Sequence, residues 1–441
     1  MPFDLLLTNA QVVTPAGTAI GDIGITNGKI AELGVLNNAS GAQTIDCTGL
    51  TIIPGVIDTQ VHFREPGLEH KEDLESGTRA ALMGGVTSIL EMPNTVPNTT
   101  DAITLQDKLN RAAGRAWANY GFFIGASTEN ADQLGELEQL PGCPGIKIFM
   151  GSSTGSLLVS EEDDLRRVLQ NGTRPCPIHA EDEARNRARK SLISEEPSAS
   201  EHPFLRDSES AILATRQILR LSKETGRHVH VLHISTKEEP WILEKARKEG
   251  VRTTCEVTPQ HLYFAGPEAY ERLGTLAQMN PPIRSETDRA WLWHALDQGL
   301  FEVFGSDHAP HTLEEKSKPY PASPSGMPGV QTLLPVLLTF VAQGRLNLEK
   351  LVKMSSTQPA ELYGIQGKGS IAVGMDADLT IVDLNRKWTF KRSHVESKCG
   401  WSPYEGETFT GAVEHVVLGG EVAVRSGERT AKPSGQMLQF R

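Results

Sequence analysis

Between residues 54 and 365, apolar strand-like runs alternate with helical stretches along the whole segment. There are eight runs, at residues 56–62, 86–93, 119–127, 145–150, 177–180, 228–235, 251–257 and 301–308. Eight strand–helix units in one segment predict an α/β fold, a (β/α)₈ TIM barrel with insertions. A doubly wound sheet is disfavoured because no strand-order reversal is visible and no G-x-G-x-x-G motif follows the first strand.

The two ends of the chain have a different pattern, in which short strand-like segments are broken by turns. The N-terminal part contains an Asn-Gly hairpin signal, and two segments near the other end have the same texture. Each part alone is too short to bury a core. We therefore expect residues 1–53 and 366–441 to pair in one small β-sandwich domain beside a catalytic barrel domain of residues 54–365.

Length, charge and cysteine usage exclude several classes of protein. The 441 residues suit one large enzyme domain with a smaller attachment. The net charge is −12 and no long basic run occurs, so nucleic-acid binding has little support. No apolar stretch approaches the roughly 18 residues that span a bilayer, and no signal-peptide pattern is present. The five cysteines form no C-x-x-C pair, which argues against disulfides and a cysteine zinc site. We expect a cytoplasmic protein without membrane or nucleic-acid partners.

Metal-ligating residue types recur at the carboxyl ends of the predicted barrel strands, where TIM-barrel active sites lie. Five of the eight runs end in such a side chain or carry one. In the first run, the period-2 alternation of a strand places Asp58, Gln60 and His62 on one side. The candidate ligands from the five runs are His62, Lys147, His179, His233 and Asp307.

Lys147 lies in the fourth run, where Ile146 and Ile148 alternate with it. If the isoleucines face the helices, Lys147 points into the barrel. A lone buried ammonium is unfavourable unless it is paired. Carboxylation to a carbamate would turn it into an anionic oxygen ligand able to bridge two metal ions. A snorkelling or paired lysine is the alternative.

Each candidate taken alone also has a structural interpretation. A single histidine near a strand end is usually structural, and Asp307 could cap a turn. In the sixth run, alternation separates His233 from His228 and His230, so His233 at the carboxyl end is the chosen ligand. Five ligand-type residues at five strand ends together predict a metal site. Four histidines outside such strand ends are interpreted as surface or core residues: His202, His294, His394 and His415.

The ligand types indicate the chemistry. Histidine nitrogen and carboxylate oxygen favour zinc, and zinc lowers the pKa of a bound water to about 7. The hydroxide attacks an amide carbonyl that the metal polarises. Asp307 can take the proton of the water and return it to the leaving nitrogen. These residues therefore predict a metal-dependent hydrolase.

Longer motifs around these residues resemble the amidohydrolase superfamily and, within it, the dihydroorotases. The resemblance runs over nearly the whole chain, and its most specific parts are HFREPG at 62–67 and SDHAPH at 306–311. Other matching motifs are GGVTSILEMPNT (84–95), EVTPQHL (256–262), MNPPIR (279–284), SGMPGVQT (325–332) and KCGWSPYEG (398–406).

The resemblance implies a function and a set of site residues. The implied metal site, for one or two Zn²⁺ ions, consists of His62, Lys147 in carboxylated form, His179, His233 and Asp307, which is also the catalytic acid/base. The implied ligands of the substrate carboxylate are Arg64, Asn94 and His311, and those of the pyrimidine ring are Asn280 and the backbone of Ser325 and Gly326. The implied reaction is the reversible interconversion of (S)-dihydroorotate and N-carbamoyl-L-aspartate in pyrimidine biosynthesis, carried out by a homodimer.

Arg64 is the best discriminator of substrate within the sequence. A carboxylate is bound well by the guanidinium fork, whereas hydantoins, dihydropyrimidines and allantoin have no carboxylate at that point. Two alternatives stay open beside dihydroorotase: another cyclic amidase of the hydantoinase or allantoinase type, and a non-catalytic partner of aspartate transcarbamoylase.

Gln60 departs from the family pattern, which has a first histidine at this position in H-x-H. A carboxamide oxygen is a poorer zinc ligand than an imidazole. Three outcomes are open: Gln60 ligates weakly or through water, one metal ion is held by the other ligands, or the barrel is inactive. The polar, Pro- and Ser-rich residues 312–325 are interpreted either as a lid or as a static surface loop.

Overall fold

The computed structural model describes residues 2–36, 39–152, 157–430 and 432–441. Five strands precede the barrel: β1 (Phe3–Thr14), β2 (Gly17–Thr26), β3 (Lys29–Gly34), β4 (Gly41–Asp46) and β5 (Thr51–Pro54). The barrel strands are β6 (Val56–Val61), β7 (Val86–Glu91), β8 (Asn119–Phe122), β9 (Ile124–Gly125), β10 (Ile146–Phe149), β11 (Cys176–His179), β12 (Val229–Val231), β13 (Thr253–Val257) and β14 (Val303–Phe304). Four strands follow it: β15 (Leu379–Thr389), β16 (Thr408–Leu418), β17 (Glu421–Arg425) and β18 (Glu428–Arg429).

The helices lie mainly between the barrel strands. They are α1 (Leu74–Met83), α2 (Ala102–Ala112), α3 (Leu134–Leu137), α4 (Glu162–Gln170), α5 (Glu183–Arg189), α6 (His202–Leu205), α7 (Ser208–Thr225), α8 (Glu239–Lys248), α9 (Pro259–Tyr263), α10 (Glu268–Leu273), α11 (Glu286–Asp297), α12 (Leu313–Lys316), α13 (Leu333–Ala342), α14 (Leu348–Val352) and α15 (Gln358–Tyr363). Within the described residues, no helix combines the length and the apolar character needed to cross a membrane.

The barrel strands are parallel and close on themselves. β9 to β14 form one hydrogen-bonded set in chain order, and β6 to β8 form a second. The two sets are continuous in the chain because only Phe123 separates β8 from β9. A parallel bridge between Val61 and His308, with His62 N donating to His308 O over 2.7 Å, joins the first strand to the last. The eight strand-like runs coincide with these strands, so the predicted TIM barrel is confirmed.

Local sequence explains where the long helices begin and end. The helix α7 begins after Asp207, whose carboxylate accepts from Ser210 N, and ends at Gly226 in the left-handed conformation with φ of 72°. The side chains that α7 directs inward, such as Ile218 and Leu221, are buried against the barrel. Burial of such an apolar stripe contributes about 2 kcal/mol per large side chain and holds the helix on the strands.

The terminal strands pair in one nine-stranded sheet with the order β18-β17-β16-β15-β5-β1-β2-β3, and β4 pairs with β1. The N- and C-terminal parts of the chain meet where β5 runs antiparallel to β15, with Leu379 opposite Pro54. One face of the sheet buries an apolar cluster of its own, distinct from that of the barrel, which includes Leu7, Ile23 and Ile381. The sheet is therefore an accessory layer beside the barrel.

Candidate active site

A narrow cavity beside the ends of β6, β7 and β14 brings together most of the residues that the sequence singles out. His62 follows β6 directly, Asn94 lies just after β7, and Asp307 lies just after β14. The lining residues are His62, Arg64, Asn94, Asn280, Asp307, Ala309, Ser325 and Gly326. Seven of these eight residues are predicted metal or substrate ligands, and only Ala309 was not expected.

His62 and Asp307 form the first pair of candidate ligands. His62 Nε2 lies 3.3 Å from Asp307 Oδ1, and His62 Nδ1 lies 2.7 Å from Asn94 Oδ1. Because an amide oxygen only accepts, His62 Nδ1 donates to Asn94 Oδ1, and Nε2 is the ring nitrogen that faces Asp307. Gln60 Nε2 donates to the same Asp307 oxygen over 3.0 Å. Asn94 thus orients a candidate ligand in addition to lining the cavity.

His179 and His233 form the second pair, with His179 Nδ1 and His233 Nε2 3.0 Å apart. His179 Nε2 lies 2.8 Å from Glu181 Oε2, a carboxylate that Arg206 also holds through Nε at 3.1 Å. Glu181 therefore accepts a hydrogen bond from Nε2–H, which leaves the Nδ1 lone pair of His179 facing His233. The sequence analysis did not single out Glu181; its signal is an acid two positions after a predicted ligand.

Lys147 lies close enough to both pairs to interact electrostatically with Asp307 and with His179. Its side chain is buried, Nζ has no hydrogen-bond partner, and Nζ lies 4.2 Å from the centre of the Phe149 ring. Burial lowers the pKa of Lys147 to about 7, although the charges of Asp307 and Glu256 oppose that shift. An amine in this state has a substantial uncharged fraction near neutral pH, and the uncharged form is a competent nucleophile toward CO₂.

The donor set suits a divalent cation, although the side chains do not form a closed ligand shell. In the described part of the chain, no three His, Cys, Asp or Glu side chains are grouped closely enough to hold a metal ion by themselves. Two buried atoms of predicted metal ligands, Lys147 Nζ and Gln60 Oε1, lack hydrogen-bond partners. Buried polar atoms are rarely left unpaired in proteins. Imidazole nitrogens, a carboxylate and a lysine amine at strand ends therefore fit a zinc ion better than a purely structural polar core.

Three residues of the site have strained backbone conformations. Arg64, His233 and Asp307 have φ of 66°, 38° and 44°, in a region that non-glycine residues rarely occupy. Such conformations cost of order 1–3 kcal/mol each and persist where surrounding contacts impose them. Two of these residues are candidate metal ligands and one is the candidate carboxylate ligand, so the strain coincides with the predicted site.

Arg64 is a buried guanidinium with incomplete bonding. Its Nε donates to Pro310 O over 3.2 Å, Nη2 lies 3.4 Å from His311 Nε2, and Nη1 has no hydrogen-bond partner. Burial lowers the pKa of Arg64 to about 10, so the group stays charged at neutral pH. A buried cation with a free donor is a site for an anionic group.

The segment 323–326 is held against the cavity by residues that the sequence analysis did not select. Gln278 Nε2 donates to Ser325 Oγ over 3.0 Å, and the ammonium of the buried Lys316 donates to Gln278 O, Pro324 O and Gly326 O over 2.9–3.1 Å. Gly326 has φ of 139°, and a Cβ there would lie 2.4 Å from Ala309 O. Only glycine fits this position.

His202 also belongs to the surroundings of the cavity. It is buried as a core residue, but its Nε2 lies 2.9 Å from Asn280 Oδ1 and 3.0 Å from Met279 O. Both partners are acceptors, so Nε2 carries the ring proton and the oxygen of the Asn280 carboxamide is engaged. The amide nitrogen of Asn280 is then the part that can donate to a ligand.

The chain belongs to the amidohydrolase family, whose family model matches residues 51–423. It is 34% identical to the dihydroorotase of Methanothermobacter thermautotrophicus over 428 residues, which cover 97% of this chain and 95% of that protein. It is 33% identical over 453 residues to the allantoinase of Deinococcus radiodurans, covering 100% of both. Among solved structures, the L-hydantoinase (dihydropyrimidinase) from Arthrobacter aurescens superposes with a TM-score of 0.93 at 29% identity over 99% of both chains.

These relatives have one chemistry in common. The predicted enzyme class is confirmed: the chain is a hydrolase that acts on cyclic amides, and its substrates are small molecules. The family is in general metal-dependent. The names of the relatives differ in substrate, so the assignment of one substrate depends on the cavity itself.

Proposed function

We propose that the chain is a dihydroorotase that interconverts (S)-dihydroorotate and N-carbamoyl-L-aspartate. The observation that carries this proposal is the buried guanidinium of Arg64, two residues beyond His62, with Nη1 free of any hydrogen-bond partner. Dihydroorotate differs from hydantoin, dihydrouracil and allantoin in having a ring carboxylate. A carboxylate would complete the bonding of Arg64, whereas a ring without one would leave Nη1 with no acceptor.

We assign the remaining roles in the same site. His62, Lys147, His179, His233 and Asp307 would hold Zn²⁺, and carboxylated Lys147 would supply an anionic oxygen in place of an unpaired amine. When bound, the metal supplies Lewis acidity toward the amide carbonyl and makes a water acidic. Gln60 contributes a hydrogen bond to Asp307 rather than an imidazole nitrogen, which favours one firmly held ion over two.

The protein itself has two further roles, proton transfer and substrate binding. Asp307 accepts the proton of the attacking water and returns it to the ring nitrogen that leaves. Arg64, His311 and Asn94 bind the carboxylate, and Asn280 with the backbone at Ser325 and Gly326 binds the ring. Orientation of the scissile amide by these contacts is itself a large part of the rate enhancement in such sites.

The experiment is an activity assay of the metal-replete and the chelated protein with dihydroorotate, N-carbamoyl-L-aspartate, allantoin, hydantoin and dihydrouracil. Dihydroorotate should be turned over only by the metal-replete protein. Arg64→Met should lower kcat/KM for dihydroorotate by about 30-fold to several thousand-fold, because it removes one partner of a buried charge pair. A matched control is Arg386→Met, which removes an exposed arginine paired with Glu414 on the terminal sheet and should leave kcat/KM unchanged.

Other outcomes overturn the proposal. The full-length similarity to an allantoinase makes that activity the second candidate. Turnover of allantoin without dihydroorotate, insensitive to Arg64→Met, would assign the chain to that function. Turnover of no substrate at any metal load would favour a non-catalytic partner of another enzyme.

A further inference from the structure

Lys71 contacts His311, a residue of the proposed carboxylate subsite, and has no role in the mechanism given above. It is buried, and its Nζ lies 3.1 Å from His311 Nδ1 and 3.0 Å from Glu315 Oε1. His311 itself is completely buried and lies next to Arg64. Lys71 therefore contacts the carboxylate subsite through one histidine rather than directly.

Three neighbours bear on which ring nitrogen of His311 carries the proton: Lys71 at Nδ1, and Ser325 and Arg64 at Nε2. At Nε2 the acceptor Ser325 O, at 3.0 Å, is closer than the donor Arg64 Nη2, at 3.4 Å, and therefore decides. A lysine ammonium only donates, so Nδ1, which faces Lys71, must accept. Nε2 lies 3.0 Å from the carbonyl oxygen of Ser325, which only accepts. Burial, together with the charges of Arg64 and Lys71, lowers the pKa of His311 well below its usual value, so the ring is neutral and has one proton. That proton is on Nε2.

Glu315 is not a hydrogen-bond partner of His311, so it does not favour a proton on Nδ1. Its Oε2 lies 3.8 Å from His311 Nδ1, beyond hydrogen-bond distance, and accepts instead from the Thr312 backbone nitrogen over 3.1 Å. Glu315 Oε1 pairs with Lys71. The acid thus holds the ammonium in place and leaves Nδ1 to it.

This tautomer matters because His311 Nε2 lies 3.4 Å from Arg64 Nη2. With the proton on Nε2, His311 is a second donor directly beside Arg64, which lines the cavity. A bound carboxylate can then accept from Arg64 and share the Nε2 proton with the Ser325 carbonyl. With the proton on Nδ1, a nitrogen lone pair would face the carboxylate and repel it. The choice of tautomer therefore decides whether the subsite attracts an anion.

We propose that Lys71 is a positioning residue of the carboxylate subsite, whose ammonium fixes His311 as the Nε2–H tautomer and thereby makes it a second donor beside Arg64. The identity of the anion as dihydroorotate rests on the proposed function. The tautomer itself does not, and neither does the ability of the subsite to bind a small dicarboxylate.

The first test is ¹⁵N NMR of the full-length protein labelled on histidine, with the His311 signals assigned by their loss in His311→Gln. We expect a protonated Nε2 and an unprotonated Nδ1 in the unchanged protein. An unprotonated Nε2 would overturn the proposal without any Lys71 variant being needed.

The second test compares Lys71→Gln, which can still donate to Nδ1, with Lys71→Met, which cannot. The Met variant should shift His311 toward the other tautomer and raise KM for dihydroorotate about 10- to 100-fold, the effect of losing a hydrogen bond to a charged group. kcat and the turnover of neutral hydantoin should change little. The Gln variant should keep the tautomer and most of the affinity. Binding of malonate, a small dicarboxylate, probes the subsite independently of turnover, and its affinity should fall in the Met variant and be largely kept in the Gln variant.

The control is Lys223→Met, which removes an exposed lysine paired with Glu249 on the outside of the barrel and should change nothing. An unchanged His311 tautomer in Lys71→Met would overturn the proposal, as would equal losses of malonate affinity in the Gln and Met variants. If dihydroorotate is not a substrate but the NMR and malonate results are as expected, the proposed dihydroorotase activity is wrong. The positioning role of Lys71 is then still supported.

Discussion

At the mouth of the barrel, buried polar atoms such as Arg64 Nη1 and Lys147 Nζ lack hydrogen-bond partners, whereas on the described strands of the terminal sheet no buried side-chain atom does. The strands of the sheet satisfy one another through their ladders and bury only apolar side chains in their shared cluster. Unpaired buried groups destabilise a fold by about 1–3 kcal/mol each. The unpaired groups at the barrel mouth therefore lower the stability of the fold, whereas the described strands of the sheet carry no such cost.

Backbone strain is distributed in the same way. Among the described residues of the sheet, the positive-φ residues other than glycine are Asn9, Asn27 and Ser426, which occupy a bulge and turns. At the mouth the strained residues are Arg64 and Asp307, together with His233. Backbone strain at an arginine, a histidine and an aspartate indicates a binding or catalytic site. The contrast between the regions predicts that substitutions at the barrel mouth change kinetic constants, whereas substitutions in the sheet change the free energy of unfolding.

The largest expected effect is on turnover and comes from Asp307→Asn. The substitution keeps the size of the side chain and its bond from Gln60 but removes the proton acceptor. We expect kcat for dihydroorotate to fall about 10²- to 10⁴-fold, the contribution of a general acid/base. The melting temperature should change little, and steady-state kinetics with thermal unfolding measures both.

A matched change for this prediction is Asp163→Asn, because the side chain of Asp163 is 99% exposed and pairs with Arg166 on α4. It should leave kcat unchanged. Retention of kcat within about tenfold in Asp307→Asn would exclude the acid/base role and weaken the contrast between the two regions.

The second effect is on stability and comes from Ile381→Ala in β15. Ile381 is fully buried in the apolar cluster of the sheet, so its truncation should lower the free energy of unfolding by about 2–5 kcal/mol. The kinetic constants of the folded protein should be unchanged, because the sheet contributes no side chain to the cavity. Urea denaturation and kinetics on the same preparation measure the two effects.

The same substitution at an exposed position of the sheet, Ile20→Ala, is the control, because Ile20 is 71% exposed. It should change the free energy of unfolding by less than about 0.5 kcal/mol. A fall in kcat/KM for folded Ile381→Ala would show that the sheet and the barrel mouth are coupled, and the contrast between them would then be wrong.

The parts of the molecule that the sequence predicts are those encoded locally. The eight barrel strands follow from runs of apolar residues, and Lys147 is buried between Ile146 and Ile148 on its strand. The strand ends then determine which residues face one cavity, since the carboxyl ends of parallel strands meet at one rim. Three of the predicted cavity residues, His62, Asn94 and Asp307, lie directly beyond strands in this way.

The residues that orient the ligands are not predicted, because their partners are distant in sequence. His202 binds Asn280 across 78 positions, and Lys71 contacts His311 across 240. Lys316 donates to three backbone carbonyls, and such partners cannot be recognised from the residue types in the sequence. Such contacts depend on how loops fold over the barrel, and no local propensity specifies them.

The smallest expected effect comes from Lys29→Gln, at the point where the hairpin of β2 and β3 meets the C-terminal part of the chain. Lys29 pairs with Asp376 over 2.5 Å, but its side chain is 52% exposed and Asp376 also pairs with Lys368 over 3.0 Å. Solvent screening and the remaining partner should limit the loss of unfolding free energy to about 1 kcal/mol or less, with no change in kcat/KM. Urea denaturation at low and high salt measures it, and the difference between variant and parent should shrink as salt rises. A larger, salt-independent loss would mean that polar contacts hold the terminal sheet together as much as its apolar cluster does.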